Sequence, residues 1–437
     1  MEVYPKKFHI VVFPWLAFGH ISPFFELAKL IAQKGHKISF ISTPRNIKCL
    51  SKLPPNLQPL VQFIELPLPH IENLPENAET TMDIPTHIVP YLKKAFDGLQ
   101  QPLIEYLEKS KPDCFIYDFA SYWFQPILSK RGILSIFLSI FSASGLSFVV
   151  ELLVGKSNDE DNIISAIHYE QNESGVSDML RLKEAVFGGD FIAIRSCKEI
   201  EGKSLELLEN LSKKKVIPVG LLPPSLQFSE EKKDENWYTI LKWLDKQEKK
   251  SVIYVAFGSE VTLSDEEFSE IAKGLELSSF PFLWIVKNQV KYDWLVENQL
   301  NKNGLIWSNW APQLRILAHE SVGGFLTHCG WSSVIESLQV GCPLIMLPFE
   351  NEQGLIAKHM EEKMVGVKVQ RNDEDDRKFT GDSVTKAVRS VMVKEEGKSY
   401  RSKAEEMSKI VGDMELHQKY LDDFVDYVEQ QISASKH

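Results

Sequence analysis

Short apolar runs rich in β-favouring residues alternate along the whole chain with segments whose apolar positions recur at helical spacing. In the first half, Phe8–Phe13, Lys37–Ser42, Val61–Glu65, Cys114–Tyr117 and Ile133–Ile140 read as strands. The helical period covers Ser22–Lys34, closed by Gly35, and Pro90–Lys109. A strand at Phe191–Arg195 and a helix at Gly202–Lys213 follow. Val216–Gly220 then runs into Leu221-Leu222-Pro223-Pro224 and the polar stretch Gln227–Asn236, which marks a domain boundary. Beyond it the rhythm restarts with strands at Val252–Phe257, Phe282–Val286, Leu305–Trp307, Val322–Thr327 and Pro343–Leu347, and helices at Asp265–Leu277 and Trp331–Leu338. Strand–helix alternation of this kind is the mark of βαβ units. Its recurrence on both sides of the boundary predicts an α/β fold of two Rossmann-like domains, 1–222 and 237–417, facing each other across a cleft. Ligands belong at the carboxyl ends of such strands.

Composition narrows the classes. The 437 residues are 43% hydrophobic and 25% charged, an ordinary globular balance with enough chain for a sizeable core. Forty-nine basic against 60 acidic residues give a net charge of −11, which argues against a nucleic-acid or acidic-membrane partner but leaves room for a local anion pocket. Cys49, Cys114, Cys197, Cys329 and Cys342 lack CxxC spacing, so neither a zinc site of the usual spacing nor a disulfide framework is expected, and the cytosol is the expected compartment. Lys6-Lys7 before Phe8–Phe18 imitates a signal peptide, yet His9, Pro14 and the missing cleavage pattern favour a buried first strand. Gly132–Val150 is uncharged and just long enough to span a membrane. The serines at Ser142–Ser144 divide it more naturally into a strand and a helix. The acidic runs Asn158–Asp161 and Asn372–Asp376 read as solvated loops.

Several chemistries drop out. There is no G-x-G-x-x-G, and no G-x-S-x-G. Gly-Lys-Ser at Gly155, Gly202 and Gly397 lacks the earlier glycine of a phosphate loop each time. The Asp-Glu-Asp triplets at Asp159 and Asp373 sit in polar runs with no strand before them, so no metal site is expected. What remains is one block, Trp310 to Gln353. It reads Trp310-Ala311-Pro312-Gln313, Gly324-Phe325-Leu326-Thr327, His328-Cys329-Gly330-Trp331-Ser332-Ser333, Glu336-Ser337, Gly341-Cys342-Pro343 and Glu352-Gln353. A buried strand ending in this turn and opening a helix brings backbone N–H groups, the helix dipole, a histidine and two hydroxyls to one point, which suits a diphosphate. A plain capped helix with a structural histidine explains the turn equally well. Trp310, able to stack a base, and Glu336, one turn into the helix, tip the balance to a ligand site.

The block resembles, in order and spacing, the signature box of the plant secondary-metabolite UDP-glycosyltransferases (family 1), and the likeness extends to the amino terminus and to Phe257-Gly258-Ser259. The resemblance implies a GT-B fold without metal, UDP-sugar on the carboxyl domain, acceptor on the amino domain, and a final helix, about 418–437, packing back on the amino domain. It also implies roles: Trp310 stacks on uracil, Ala311 backbone and Gln313 bond its edge, and Glu336 takes the ribose. His328, Ser333, Ser259 and the Gly330 backbone face the phosphates beside Trp331, and Glu352 with Gln353 hold sugar hydroxyls. Ser332 stands where the family usually has Asn, and Glu352 where Asp is commoner.

His20 follows the first strand and Asp118 ends the strand Cys114–Tyr117, so both belong at the carboxyl edge of the sheet. A hydroxyl acceptor needs a base near neutral pH, which histidine supplies, with an aspartate fixing its tautomer. The resemblance matches both residues to the family's catalytic base and its partner. It implies a single inverting displacement at the anomeric carbon. Phe13-Pro14-Trp15-Leu16-Ala17-Phe18-Gly19-His20 and Ser42-Thr43-Pro44-Arg45-Asn46 look like the branch that extends sugar chains on flavonoid, steroid or terpenoid glycosides. The expected donor is UDP-glucose, because a terminal Gln353 goes with glucose in that family, and UDP-rhamnose is the alternative. Candidate acceptor walls are Trp15, Phe18, Phe119, Tyr122, Trp123 and Phe141, with core packing the competing explanation. A monomer without nucleic-acid or membrane partners is expected. The rival functions are a nucleotide-sugar epimerase, which would want more carboxylates, and a silent UDP-sugar-binding protein, which would have lost His20 or Asp118.

Overall fold

The run that imitates a signal peptide is a buried strand. In the computed structural model, which describes residues 7–156, 172–226, 235–258, 260–286, 303–350, 352–372 and 375–435, His9–Phe13 forms β1, and Val11, Val12 and Phe13 are fully shielded. It is joined by β2 (Lys37–Ser42), β3 (Val61–Glu65), β4 (Cys114–Tyr117), β5 (Leu134–Ser139), β6 (Phe191–Ile194) and β7 (Val216–Pro218). The seven form one sheet in the order β3-β2-β1-β4-β5-β6-β7, parallel at every step. All four residues of β4 are buried, as a parallel sheet covered on both faces demands.

The uncharged stretch 132–150 divides after β5. Its second part begins the helix Ala143–Leu153, capped by Ser142, whose Oγ accepts from Gly145 N at 3.0 Å. Among the described residues no helix is long and apolar enough to cross a membrane. Two expected helices change extent. The first runs Phe18–Gln33, so it starts before Ser22 and contains His20; Pro23 lies inside it and cannot donate to the Gly19 carbonyl. The second is two helices, Val89–Asp97 and Gln100–Ser110. Pro102 cannot donate back to Gly98, whose Cα is pressed on Pro69: a Cβ there would lie 2.5 Å from Pro69 Cγ.

A second parallel sheet contains β8 (Val252–Ala256), β9 (Phe282–Ile285), β10 (Gly304–Trp307), β11 (Val322–Thr327), β12 (Leu344–Met346) and β13 (Gly366–Lys368), in the order β10-β9-β8-β11-β12-β13. The acidic run 372–376 is not a plain loop. It contributes to an antiparallel pair, β14 (Arg371–Asn372) and β15 (Asp375–Phe379), anchored by Phe379, which is buried. The other acidic run, Asn158–Asp161, lies outside the described residues.

The chain divides into two compact units, Met1–Leu222 with Glu415–His437, and Pro223–Met414. The last helix, Met414–Ala434, belongs to the first because Leu421, Phe424, Val425, Val428 and Ile432 complete the core that contains Phe8 and Ile10. Polar ties fix its rotation. Lys34 Nζ reaches Asp422 at 2.5 Å, His36 Nε2 reaches Glu429 at 3.0 Å, and Leu221 N donates to His417 Nδ1 at 3.3 Å. All five cysteines are free, and all but Cys49 are buried. Phe424 is 1% exposed, so Phe424→Ala should cost about 3–5 kcal/mol in urea unfolding. A loss below about 1 kcal/mol would mean the helix is not integral to this core.

Candidate active site

Strand order reverses once in each sheet, between β1 and β4 in the first and between β8 and β11 in the second. Loops on the two sides of a reversal leave in opposite directions, so the carboxyl ends of the strands open a crevice there. His20 and Asp118 belong to the first reversal. Phe13 of β1 is in register with Tyr117 of β4, which puts the two following loops side by side. His20, third residue of its helix, donates from Nδ1 to Asp118 Oδ2 at 2.7 Å. The same oxygen accepts from Trp15 N at 3.0 Å, and Oδ1 accepts from Phe119 N at 2.7 Å. Asp118 is buried while the His20 side chain keeps 13% exposure. The carboxylate accepts from three N–H groups, and its acceptor-only oxygens place a ring proton on Nδ1 of His20.

Aromatic rings surround this pair. Phe119 lies 5.6 Å and Phe141 5.8 Å from the His20 ring, and both are half-buried. Trp15 meets Phe119 edge-on at 6.2 Å but is itself core, packed against Phe96. Phe18 is half-buried at the start of the helix. Tyr122 and Trp123 are engaged elsewhere. The Trp123 indole donates to Asp97 Oδ1 at 3.0 Å, and the Tyr122 ring lies 4.8 Å from the guanidinium of Arg181, which is fully buried and grips Asp97 with two bonds.

Sequence reasoning missed Glu201. This buried carboxylate accepts from Ala143 N at 3.0 Å, Ser144 N at 2.9 Å and Ser196 Oγ at 2.7 Å, and so clamps the turn that carries Phe141. Its backbone leaves helical geometry, at φ −124° and ψ 26°, inside Lys198–Ser212. Nothing in an isolated glutamate among charged neighbours announces burial.

At the second reversal, β11 runs into His328-Cys329-Gly330 and the helix Trp331–Gln339. Cys329 takes φ +71°, a left-handed turn that commits the chain to enter the helix at once. The imidazole of His328 is wedged between two glycines. A Cβ on Gly258 would lie 2.8 Å from its Cε1, and one on Gly330 2.6 Å from its Nε2. Burial pushes the His328 pKa down to about 4, so the ring is neutral at pH 7, and its Nδ1 has no hydrogen-bond partner among the described residues. Val334 N to Gly330 O, at 3.1 Å, closes the first helical bond; the N–H groups of Trp331, Ser332 and Ser333 come before it. The Trp331 side chain is buried.

Gln313, at the head of Gln313–Leu317, ties the site together. Its Nε2 donates to Glu336 Oε2 at 2.9 Å and to Ser333 Oγ at 3.2 Å. Trp310 is 73% exposed, with Ala311 half-buried beside it. Gln353 is buried, and its Oε1 accepts from Phe349 N at 2.9 Å and Glu350 N at 3.1 Å, so its carbonyl is committed to backbone and only its amide N–H groups remain to donate. Glu352 is the half-buried residue before that helix. Ser259 lies outside the described residues. Among the described residues, no three His, Cys, Asp or Glu side chains converge on one point.

The profile of the family described as UDP-glucoronosyl and UDP-glucosyl transferase matches residues 231–432. UDP-glycosyltransferase 91C1 of Arabidopsis thaliana is 42% identical, over 98% of this chain and 98% of that one. The chain belongs to the plant family-1 UDP-glycosyltransferases. A second relative, soyasaponin III rhamnosyltransferase of Glycine max, is 40% identical over 97% of this glycosyltransferase and 96% of its own length. Among solved structures, Glycyrrhiza uralensis UGT73P12 complexed with glycyrrhetinic acid 3-O-monoglucuronide superposes at TM-score 0.81 with 22% identity, covering 99% and 97% of the two chains. The glycosyltransferase therefore has the GT-B fold, and its donor is a UDP-sugar.

Burial lowers the pKa of His328 to about 4 and that of His36 below its usual 6.5. Both are neutral when folded and titrate normally when unfolded. The unfolded chain gains protons first as pH falls, so stability should hold above about pH 6.5 and drop toward pH 4, by about 3 kcal/mol from His328 alone. Urea titrations at pH 8, 6 and 5 read this directly, and flat stability from pH 8 to 5 would contradict the buried neutral state.

Proposed function

We propose that the glycosyltransferase moves glucose from UDP-glucose to a sugar hydroxyl of a flavonoid, terpenoid or steroid glycoside, inverting the anomeric carbon without a metal. The first unit takes the acceptor and the second the UDP-sugar. The observation that carries the mechanism is the 2.7 Å bond from His20 Nδ1 to Asp118. With Nδ1 turned to Asp118, Nε2 removes the acceptor hydroxyl proton as the oxygen attacks the anomeric carbon. The bond from that carbon to the phosphate oxygen breaks, UDP departs with the electron pair, and the imidazolium is stabilised by Asp118. Phe119 and Phe141, around the base, offer apolar faces to a ring of the acceptor.

In the second unit, exposed Trp310 stacks on uracil, Ala311 and Gln313 meet its edge, and Glu336, oriented by Gln313, takes the ribose. The diphosphate rests on the helix start at Gly330–Ser333 and against His328, with Ser259 beside it. Since His328 is neutral, it meets the phosphates as a hydrogen-bond donor, and the helix dipole carries the charge complementarity. Glu352 accepts from sugar hydroxyls and Gln353 donates to them. Ser332, shorter than Asn, contributes a hydroxyl at the same turn.

A specific finding favours a second donor, UDP-rhamnose: the Glycine max relative is by name a rhamnosyltransferase. Glucose is preferred here because Glu352 and the Gln353 amide together satisfy a ring with a full set of equatorial hydroxyls.

His20→Ala should lower kcat by about 10²–10⁴, or roughly 3–5 kcal/mol of barrier, while UDP still binds. Near-normal turnover would remove the histidine from the chemistry. In a parallel assay of UDP release with one glycoside acceptor, UDP-glucose should give the higher kcat/KM, and added EDTA should change nothing. A clear lead for UDP-rhamnose would reverse the donor assignment and leave the base untouched.

A further inference from the structure

We propose that Arg371 is a positioning residue for donor-sugar recognition, acting by holding the turn at Pro348–Glu350 that precedes Glu352 and Gln353. The inference rests on the reading of Glu352 and Gln353 as partners of the sugar hydroxyls. That turn leaves the carboxyl end of β12, where Leu347 N donates to Thr327 O at 2.9 Å, and it ends in the helix Gln353–Glu362. The neighbouring strand β13 runs parallel to β12, and Val369 N continues the ladder by donating to Met346 O at 2.9 Å. Two residues later the chain delivers Arg371 to the same sheet edge.

There the Arg371 guanidinium donates to the Pro348 carbonyl. Its Cζ lies 5.9 Å from the Phe349 ring centroid and 5.7 Å from that of Phe379. Phe349 also meets Phe257 edge-on at 5.4 Å, which ties the turn to the segment following β8. Gln353 grips the next stretch of backbone, because its Oε1 holds Phe349 N and Glu350 N. The turn is thus fixed through a carbonyl by Arg371 and through two successive N–H groups by Gln353. A planar guanidinium can donate in its plane while its faces pack on aromatic rings, and lysine cannot do both. The antiparallel pair explains how the acidic run serves this purpose: β14 and β15 place Arg371 directly across from Phe379. These contacts lie on the sugar turn, apart from the Trp310, Gln313–Glu336 and His328 positions read as holding UDP.

The test separates the sugar from the nucleotide. UDP affinity is measured by calorimetry, and kcat/KM for UDP-glucose and UDP-rhamnose with one glycoside acceptor, in the native protein, Arg371→Lys, Arg371→Ala and Gln353→Ala. Arg371→Ala should lower kcat/KM for the preferred donor by about tenfold to a hundredfold, as a displacement of about 1 Å in a binding group does. The ratio between the two donors should narrow, UDP affinity should be unchanged, and Arg371→Lys should fall between. If Arg371→Ala does not fold, Phe379→Leu removes one face of the packing and should give the same split. Equal losses for UDP and UDP-sugar, or no loss in either, would overturn the role of Arg371. Weakened donor kinetics in Gln353→Ala alone would overturn it while sparing the sugar reading of the turn. Unchanged donor kinetics in Gln353→Ala would overturn that reading and the inference with it.

Discussion

The reversal of strand order in a parallel sheet is the constraint on which both sites depend. Every strand of a parallel sheet points its carboxyl end the same way, so the loops that follow collect at one edge. Only at a reversal do neighbouring loops part and leave room for a ligand. The β1/β4 reversal sets His20 against Asp118, and the β8/β11 reversal sets Gly258 against His328. One topological device thus builds the His20–Asp118 pair in one unit and the glycine-flanked His328 turn in the other.

Holding charged groups at such edges is expensive unless they are partnered. The first unit uses backbone for this three times. Asp118 accepts from the backbone of Trp15 and Phe119 as well as from His20. Glu201 accepts from two helix-start N–H groups and a serine hydroxyl, and the two terminal nitrogens of Arg181 donate to Asp97, the Ala120 carbonyl and Ser174, while its buried Nε has no partner among the described residues. In each case the backbone of a turn is the partner, so solvating the charge and fixing the turn are one event. The turns near His20 are tied down by these buried ions.

The second unit relies on absent atoms instead. Glycine at 258 and 330 admits the His328 ring, and the resulting burial keeps that ring neutral near pH 7. The turn before the helix Gln353–Glu362 has its own supports, Gln353 within and Arg371 beside it.

The sequence alone carried the parallel strands, because runs such as Cys114–Tyr117 are buried on both faces and must be apolar throughout. It also carried the His20 and Asp118 positions and the Trp310–Gln353 block, since residue type and spacing within a βαβ unit locate groups at strand ends. The helix break at Gly98 and the pairing of the acidic run escaped it, because each depends on a distant neighbour, Pro69 in one case and Phe379 in the other. The same reason hid the burial of Glu201, the engagement of Tyr122 and Trp123 by the Arg181–Asp97 pair, and the commitment of the Gln353 carbonyl to backbone. Local pattern tells which residues reach a strand end. Which partner meets them there is decided by packing between segments far apart in the chain, and only the tertiary structure contains it.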